Sequence, residues 1–212
     1  MAKPRPAAGG GRWVEVPPER VARWLTGFGD RHGGFSADAG PTVVRFQGGD
    51  GALAECQVPF PPLDGDLAAH ALRDRRVGVL LVRLGGYACG VFEGDRLVAS
   101  KVGARLVHGR NAAGGQSQQR FARRRDKQAR EALQEAAGAA ARVLAPEAGA
   151  LEAVVCGGDR RAVDALRADP RLEAVFALET GPFLAVPDPR LAVLRETPPR
   201  FRAVRVRIVD PG

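Results

Sequence analysis

Residues 109–130 read GRNAAGGQSQQRFARRRDKQAR. A glycine-rich loop ends in Gly114-Gly115-Gln116, followed at once by Ser117 and two further glutamines, then by an arginine-studded segment of helical character. Charge sets this stretch apart. From Lys101 to Arg130 there are nine Lys/Arg and one acid, Asp126, whereas the rest of the chain carries 23 basic and 23 acidic residues. The whole formal excess of +8 therefore lies within thirty residues. A field concentrated in this way draws a polyanion to one place on the surface.

Working outward, the composition is that of a globular protein: 212 residues, 45% hydrophobic and 26% charged, enough to bury a core and fill one domain with a smaller one beside it. A sequence pI near 10.5 makes nucleic acid or an anionic membrane the first partner to consider. No apolar run approaches the roughly 20 residues of a spanning helix, and the N-terminus MAKPRPAAGGGR lacks the apolar core of a signal peptide. Three scattered cysteines, Cys56, Cys89 and Cys156, argue against a disulfide framework and for a reducing cytoplasm.

The periodicity predicts three parts. Residues 1–12, rich in Pro, Ala and Gly, read as a disordered tail. Residues 13–72 read as a small α+β unit, with a strand at Trp13–Val16, a helix carrying Val21, Trp24, Leu25 and Phe28 at helical spacing, and a hairpin from Thr42 to Val58 around Gly48-Gly49-Asp50-Gly51. Trp24 is read as core rather than as an RNA-stacking ring. A short helix at Asp66–Leu72 closes this part. Residues 73–212 read as the main domain, opening with an antiparallel meander: Val77–Leu84, Tyr87–Phe92 and Arg96–His108, separated by Gly85-Gly86 and Glu93-Gly94-Asp95. One long helix spans Gln118 to Leu144, with Ala122, Ala129, Leu133, Ala136, Ala140 and Leu144 on one face and the arginines on the other side of its first turns. A buried strand (Leu151–Cys156), a helix (Arg160–Arg167), a short strand (Val175–Leu178) and a last strand or hairpin within Leu191–Ile208 complete it. The order is that of an α/β, ribonuclease-H-like mixed sheet with flanking helices.

A bare Gly-Gly-Gln arises by chance in roughly one such chain in ten. The longer string is far more specific. Gly114-Gly115-Gln116-Ser117, two residues, Arg120-Phe121-Ala122-Arg123, one residue and Arg125 resembles the central domain of eukaryotic and archaeal class I peptide-chain release factors. His108-Gly109-Arg110 resembles their approach to the loop. Within that superfamily the chain is most similar to the release-factor-like group that frees chains from stalled ribosomes, in its short actinobacterial form. The resemblance covers about Val77 to Ile208, with Asn111-Ala112-Ala113 lengthening the loop relative to the decoding factors and no obvious codon-reading domain.

The resemblance implies a cytoplasmic, ribosome-associated peptidyl-tRNA hydrolase that needs no cofactor. Its partners are the large ribosomal subunit, with the 23S rRNA of the peptidyl-transferase centre, and peptidyl-tRNA; it works as a monomer and not at a membrane. Catalysis falls to Gln116, with Gly114 and Gly115 shaping the backbone, and RNA binding to Arg110, Ser117, Arg120, Arg123, Arg124, Arg125 and Lys127. The residue types suit the chemistry. Hydrolysing an ester requires a placed water and stabilisation of the developing oxyanion and leaving alkoxide. A glutamine amide offers a donor and an acceptor without titrating, and its backbone N–H is a second candidate group. Glycines permit positive φ and close approach to RNA, while arginines clamp phosphates bidentately.

Other chemistries have less behind them. Gly115-Gln116-Ser117-Gln118-Gln119 narrowly misses a nucleophile elbow. His32, His70 and His108 are scattered, and no HExxH or CxxC is present, so no metal is expected. Val77–Leu84 carries no carboxylate for two-metal nuclease chemistry, only Arg83. Gly157-Gly158-Asp159 reads as a strand-to-helix turn. Arg200, Arg202, Arg205 and Arg207 admit two readings, RNA contact or a charged strand edge. The alternative for the whole chain is a non-enzymatic RNA- or ribosome-binding module that docks through its basic helix.

Overall fold

The computed structural model describes residues 5–104 and 117–211, with side chains on the long helix from Lys127 onward. In chain order its elements are β1 (Arg5–Pro6), β2 (Arg12–Val16), α1 (Val21–Arg31), β3 (Phe35–Ala39), β4 (Val43–Gly48), β5 (Leu53–Gln57), α2 (Leu67–Leu72), β6 (Arg76–Arg83), β7 (Gly86–Glu93) and β8 (Arg96–Ala104). Then follow α3 (Ser117–Val143), β9 (Ala153–Gly158), α4 (Arg160–Leu166), α5 (Glu173–Phe176), α6 (Leu191–Arg195), α7 (Pro198–Phe201) and β10 (Val204–Val209). They form two units, Met1–Arg73 with Pro198–Gly212, and Asp74–Thr197.

The first unit is built on a six-stranded antiparallel sheet of order β1-β2-β10-β5-β4-β3. Alternation along β4, β5 and β10 sends Val44, Phe46, Ala54, Cys56, Val204, Val206 and Ile208 inward, where Phe28 of α1 and Leu67 of α2 cover them. Trp24 stacks on Phe28 with ring centroids 5.7 Å apart and packs against this core, as its spacing predicts. The β4–β5 turn is tied down by Asp50, which accepts the Ala52 N–H at 3.0 Å and meets His32 Nδ1 at 2.8 Å. Asp66 caps α2, accepting from Ala68 and Ala69. Buried His70 accepts the Asp64 N–H on Nδ1 and so donates from Nε2 to the Pro59 carbonyl, 2.8 Å away.

Three expectations change here. The tail read as disordered over 1–12 is ordered from Arg5: β1 pairs antiparallel with β2, and the Arg207 guanidinium binds the carbonyls of Gly9 and Gly10. The C-terminal strand, assigned by sequence to the domain 73–212, instead lies between β2 and β5 of the first unit. Strand β3 was not expected; its residues are all exposed and show no alternation. On the open face of this sheet Arg207 pairs with Glu55, Arg45 pairs with the same carboxylate, and Arg205 lies over the Trp13 ring. The strand arginines are thus engaged within the protein.

The second unit centres on a sheet of order β8-β7-β6-β9, antiparallel except where β9 runs parallel to β6, from Val77 opposite Ala153 to Val82 opposite Gly158. This is the expected α/β order of a meander, a helix and a parallel fourth strand. Leu80, Val82, Tyr87, Cys89, Val91, Val154 and Cys156 form one face, covered by Ala136, Ala139 and Ala140 of α3, by Leu144 just after it, and by Val163 and Leu166 of α4. Alanines on the covering face let α3 lie close to the strands. The run Val175–Leu178, read as a strand, instead ends α5 at Phe176 and continues as a turn, and two isolated parallel bridges, Val154 to Glu179 and Gly157 to Leu184, stand beside β9. Within Leu191–Ile208, read as strand or hairpin, two short helices precede β10.

Candidate functional site

Of the residues the sequence nominates, Arg110, Gly114, Gly115 and Gln116 lie outside the described residues, as does His108. Ser117, Arg120, Arg123, Arg124, Arg125 and Lys127 all lie on α3. Because Ser117 is the first residue of that helix, Gln116 stands directly before it in the chain. At 100° per residue, positions 120, 124 and 127 fall on the side of α3 away from Ala136 and Ala140, whereas 125 falls nearer the covered side. Lys127 is exposed and sits 3.9 Å from Glu131, one turn on, a contact of little energetic weight at the surface.

The sheet decides where this segment starts. β8 ends at Ala104, opposite Gly86, which in turn pairs with Arg83. The link to α3 therefore leaves the sheet at the end that also holds the β6–β7 turn and the end of β9. Core contacts of α3 run from Leu133 to Val143. Ser117 lies about 24 Å of helix before Leu133, at 1.5 Å per residue.

One tie along α3 had no signal in the sequence. Tyr87 of β7 is buried, and burial raises its phenol pKa, with the negative charge of Glu135 on α3 acting in the same direction. The two residues are distant in sequence, so only the packing of helix on sheet brings them together.

Nucleophilic and metal chemistries find no support in the described residues. Burial pushes the Cys56 thiol up to about 12, that of Cys89 to about 11 and that of Cys156 to about 12, so each remains a protonated core thiol. Among the described residues no group of three or more His, Cys, Asp or Glu is placed to hold a metal, and no helix is long and apolar enough to cross a membrane.

An α/β unit whose meander leads into one long helix, with Gly-Gly-Gln just ahead of it, is of the release-factor-like class. A model of the Actinobacteria/chloroflexi VLRF1 release factor family matches residues 75–207, and the chain belongs to that family. Among solved structures, that of the archaeal translation termination factor aRF1 is similar at 16% identity and a TM-score of 0.45, over 70% of this chain and 46% of that one. The chain thus spans less than half of that factor. No curated protein matches it.

Proposed function

We propose that this protein is a ribosome-associated peptidyl-tRNA hydrolase of the cytoplasm, which releases nascent chains from stalled or split large subunits. The observation that carries the reading is the coincidence of family membership over residues 75–207 with the uninterrupted motif Gly114-Gly115-Gln116-Ser117 at the start of α3.

In this reading the substrate is the ester joining peptide to tRNA ribose. The Gln116 side-chain amide orients a water toward the carbonyl, and the Gln116 backbone N–H donates to the oxygen that gains charge. The protein works chiefly by placing these groups, while the RNA around the ester supplies most of the polar surroundings. Gly114 and Gly115 let the backbone approach closely. Arg110, Ser117, Arg120, Arg123, Arg124, Arg125 and Lys127 hold rRNA phosphates, the arginines through paired N–H donors. No cofactor takes part, and the protein acts as a monomer.

The test is release of labelled peptide from purified large-subunit–peptidyl-tRNA complexes, comparing wild type with Gln116→Ala. Loss of release at retained subunit affinity supports a hydrolase. Binding without release, in the wild type and variant alike, leaves a docking module.

A further inference from the structure

We infer that the outer stripe of α1, formed by Arg20, Arg23, Gly27 and Arg31, is a seat for an RNA backbone on the first unit. The inference rests on the ribosomal reading above and extends RNA contact beyond the basic helix α3.

Three observations carry it. The first is position. Val21 and Phe28 are buried, with Trp24 and Leu25 packed beside them, so this side of α1 faces the core. At 100° per residue, Arg23, Gly27 and Arg31 follow one ridge outside that face, each a turn from the next, and Arg20 falls between Gly27 and Arg31 around the axis. All three arginines are exposed. Arg23 and Arg31 stand about 12 Å apart along the helix, a length over which a duplex carries several phosphates.

The second is charge left uncommitted. The unit Met1–Arg73 with Pro198–Gly212 has 12 basic and 9 acidic residues. Much of that charge is engaged within the protein: Arg12 pairs with Asp210, Arg45 and Arg207 with Glu55, and Arg73 with Asp64, while Arg205 lies over Trp13. Arg20, Arg23 and Arg31 form no ion pair among the described residues, although Glu19 and Asp30 stand close by in the chain. Three arginines against these two carboxylates leave the stripe positive. Their N–H donors are open to phosphate oxygens, which a guanidinium binds through paired hydrogen bonds.

The third is Gly27. Glycine inside a helix costs stability relative to alanine, and α1 carries Gly27 and Gly29. Packing accounts for Gly29, where a Cβ would lie 3.2 Å from the Phe35 ring. Gly27 has no such neighbour. A Cβ there would meet only Arg31 Nη1, at 3.3 Å, the movable end of an exposed side chain. The core gives no reason for a glycine at this place, whereas a backbone approaching the helix between Arg23 and Arg31 does. The same proximity holds the Arg31 guanidinium beside the gap.

The test uses the full chain and two probes, purified large subunits and a short RNA duplex, each titrated across a series of KCl concentrations. Gly27→Glu improves helix propensity, so the variant should unfold at the same temperature as wild type or higher. Yet it sets a carboxylate one turn from both Arg23 and Arg31. Affinity for both probes should fall on the order of tenfold. The slope of log K against log salt should become shallower by roughly 0.7 to 0.9 for each phosphate that the variant no longer neutralises. Arg23→Gln/Arg31→Gln should do the same. Arg45→Gln, which removes a charge from the open face of the sheet in the same unit, should leave the slope unchanged.

Unaltered affinity and slope in either stripe variant would overturn the inference. So would an equal loss in Arg45→Gln, which would reduce the effect to overall charge. A loss on subunits with none on RNA would assign the stripe to a ribosomal protein and overturn it as well, as would absence of wild-type binding to either probe. The hydrolase reading fails separately, if Gln116→Ala releases peptide as fast as wild type.

Discussion

The ring of Tyr87 on β7 lies directly over Gly103 on β8: a Cβ at Gly103 would fall 2.4 Å from Cε1 and 2.6 Å from the hydroxyl oxygen. The two residues are register partners, one residue short of the point where the described part of β8 ends. Glycine here lets the aromatic ring lie across the neighbouring strand. Gly103→Ala should destabilise the protein by about 1–3 kcal/mol through overpacking, measured by urea unfolding. Tyr87→Ala in the same background should relieve the clash, so the double variant should lose less than the sum of the single changes. Full additivity would show that ring and Cβ do not meet.

The His32–Asp50 contact predicts an acid limb of stability in the first unit. The hydrogen bond from His32, aided by the Ala52 N–H, holds the Asp50 carboxyl below its ordinary 3.8. A carboxylate whose folded value is depressed contributes stability above its unfolded value, and loses that contribution as pH falls through the folded one. Asp50→Asn should therefore be less stable than wild type at neutral pH, and the two should converge below pH 3.8. Thermal unfolding of both proteins from pH 7 down to 3 checks this; a gap that stays constant over the range would refute it.

The three thiols give a simple chemical test. With thiol values raised to about 12, 11 and 12 and all three side chains buried, an alkylating reagent at pH 8 should label none of them in the native protein. In denaturant it should label all three. Mass spectrometry after a short pulse distinguishes the outcomes, and rapid native labelling of Cys89 or Cys156 would show that the sheet opens under α3.

Catalysis should separate Gln116 from its neighbours. If the amide places water at the ester, Gln116→Ala lowers the rate of release by ~10²–10³ while subunit affinity stays within a few-fold, the mark of an interaction made in the transition state. A smaller loss would point to the backbone N–H, which alanine retains. Gly115→Ala tests the backbone directly, since a Cβ is strained wherever positive φ is required. His108→Ala should matter little. Single-turnover release assays decide among these, and an inert His108→Ala beside a fully active Gln116→Ala would establish acid–base catalysis.

Local chemistry made much of this protein legible from its residues. The spacing of Val21, Trp24, Leu25 and Phe28 reads as α1, the turn residues after Arg83 and Glu93 mark the meander, and the alanine face from Ala136 to Leu144 reads as the covered side of α3. Each depends on side-chain period and turn residues, which neighbours in sequence determine. The Gly-Gly-Gln string belongs here too, because a motif is a local pattern. What the sequence left open was partnership. Val204–Val209 alternates as any half-buried strand does, but which sheet accepts it depends on the unpaired N–H and C=O groups of β2 and β5, far away in the chain. Val175–Leu178 is too short for periodicity to tell helix from strand; its first two residues end α5, with Val175 packed into the core, and the other two form a turn. Tyr87 with Gly103, and Arg83 with Asp188, meet only because strands and connecting segments distant in the chain are brought side by side. Hydrogen bonds across strands and contacts through a core join residues by position in space, and tertiary structure alone decides them.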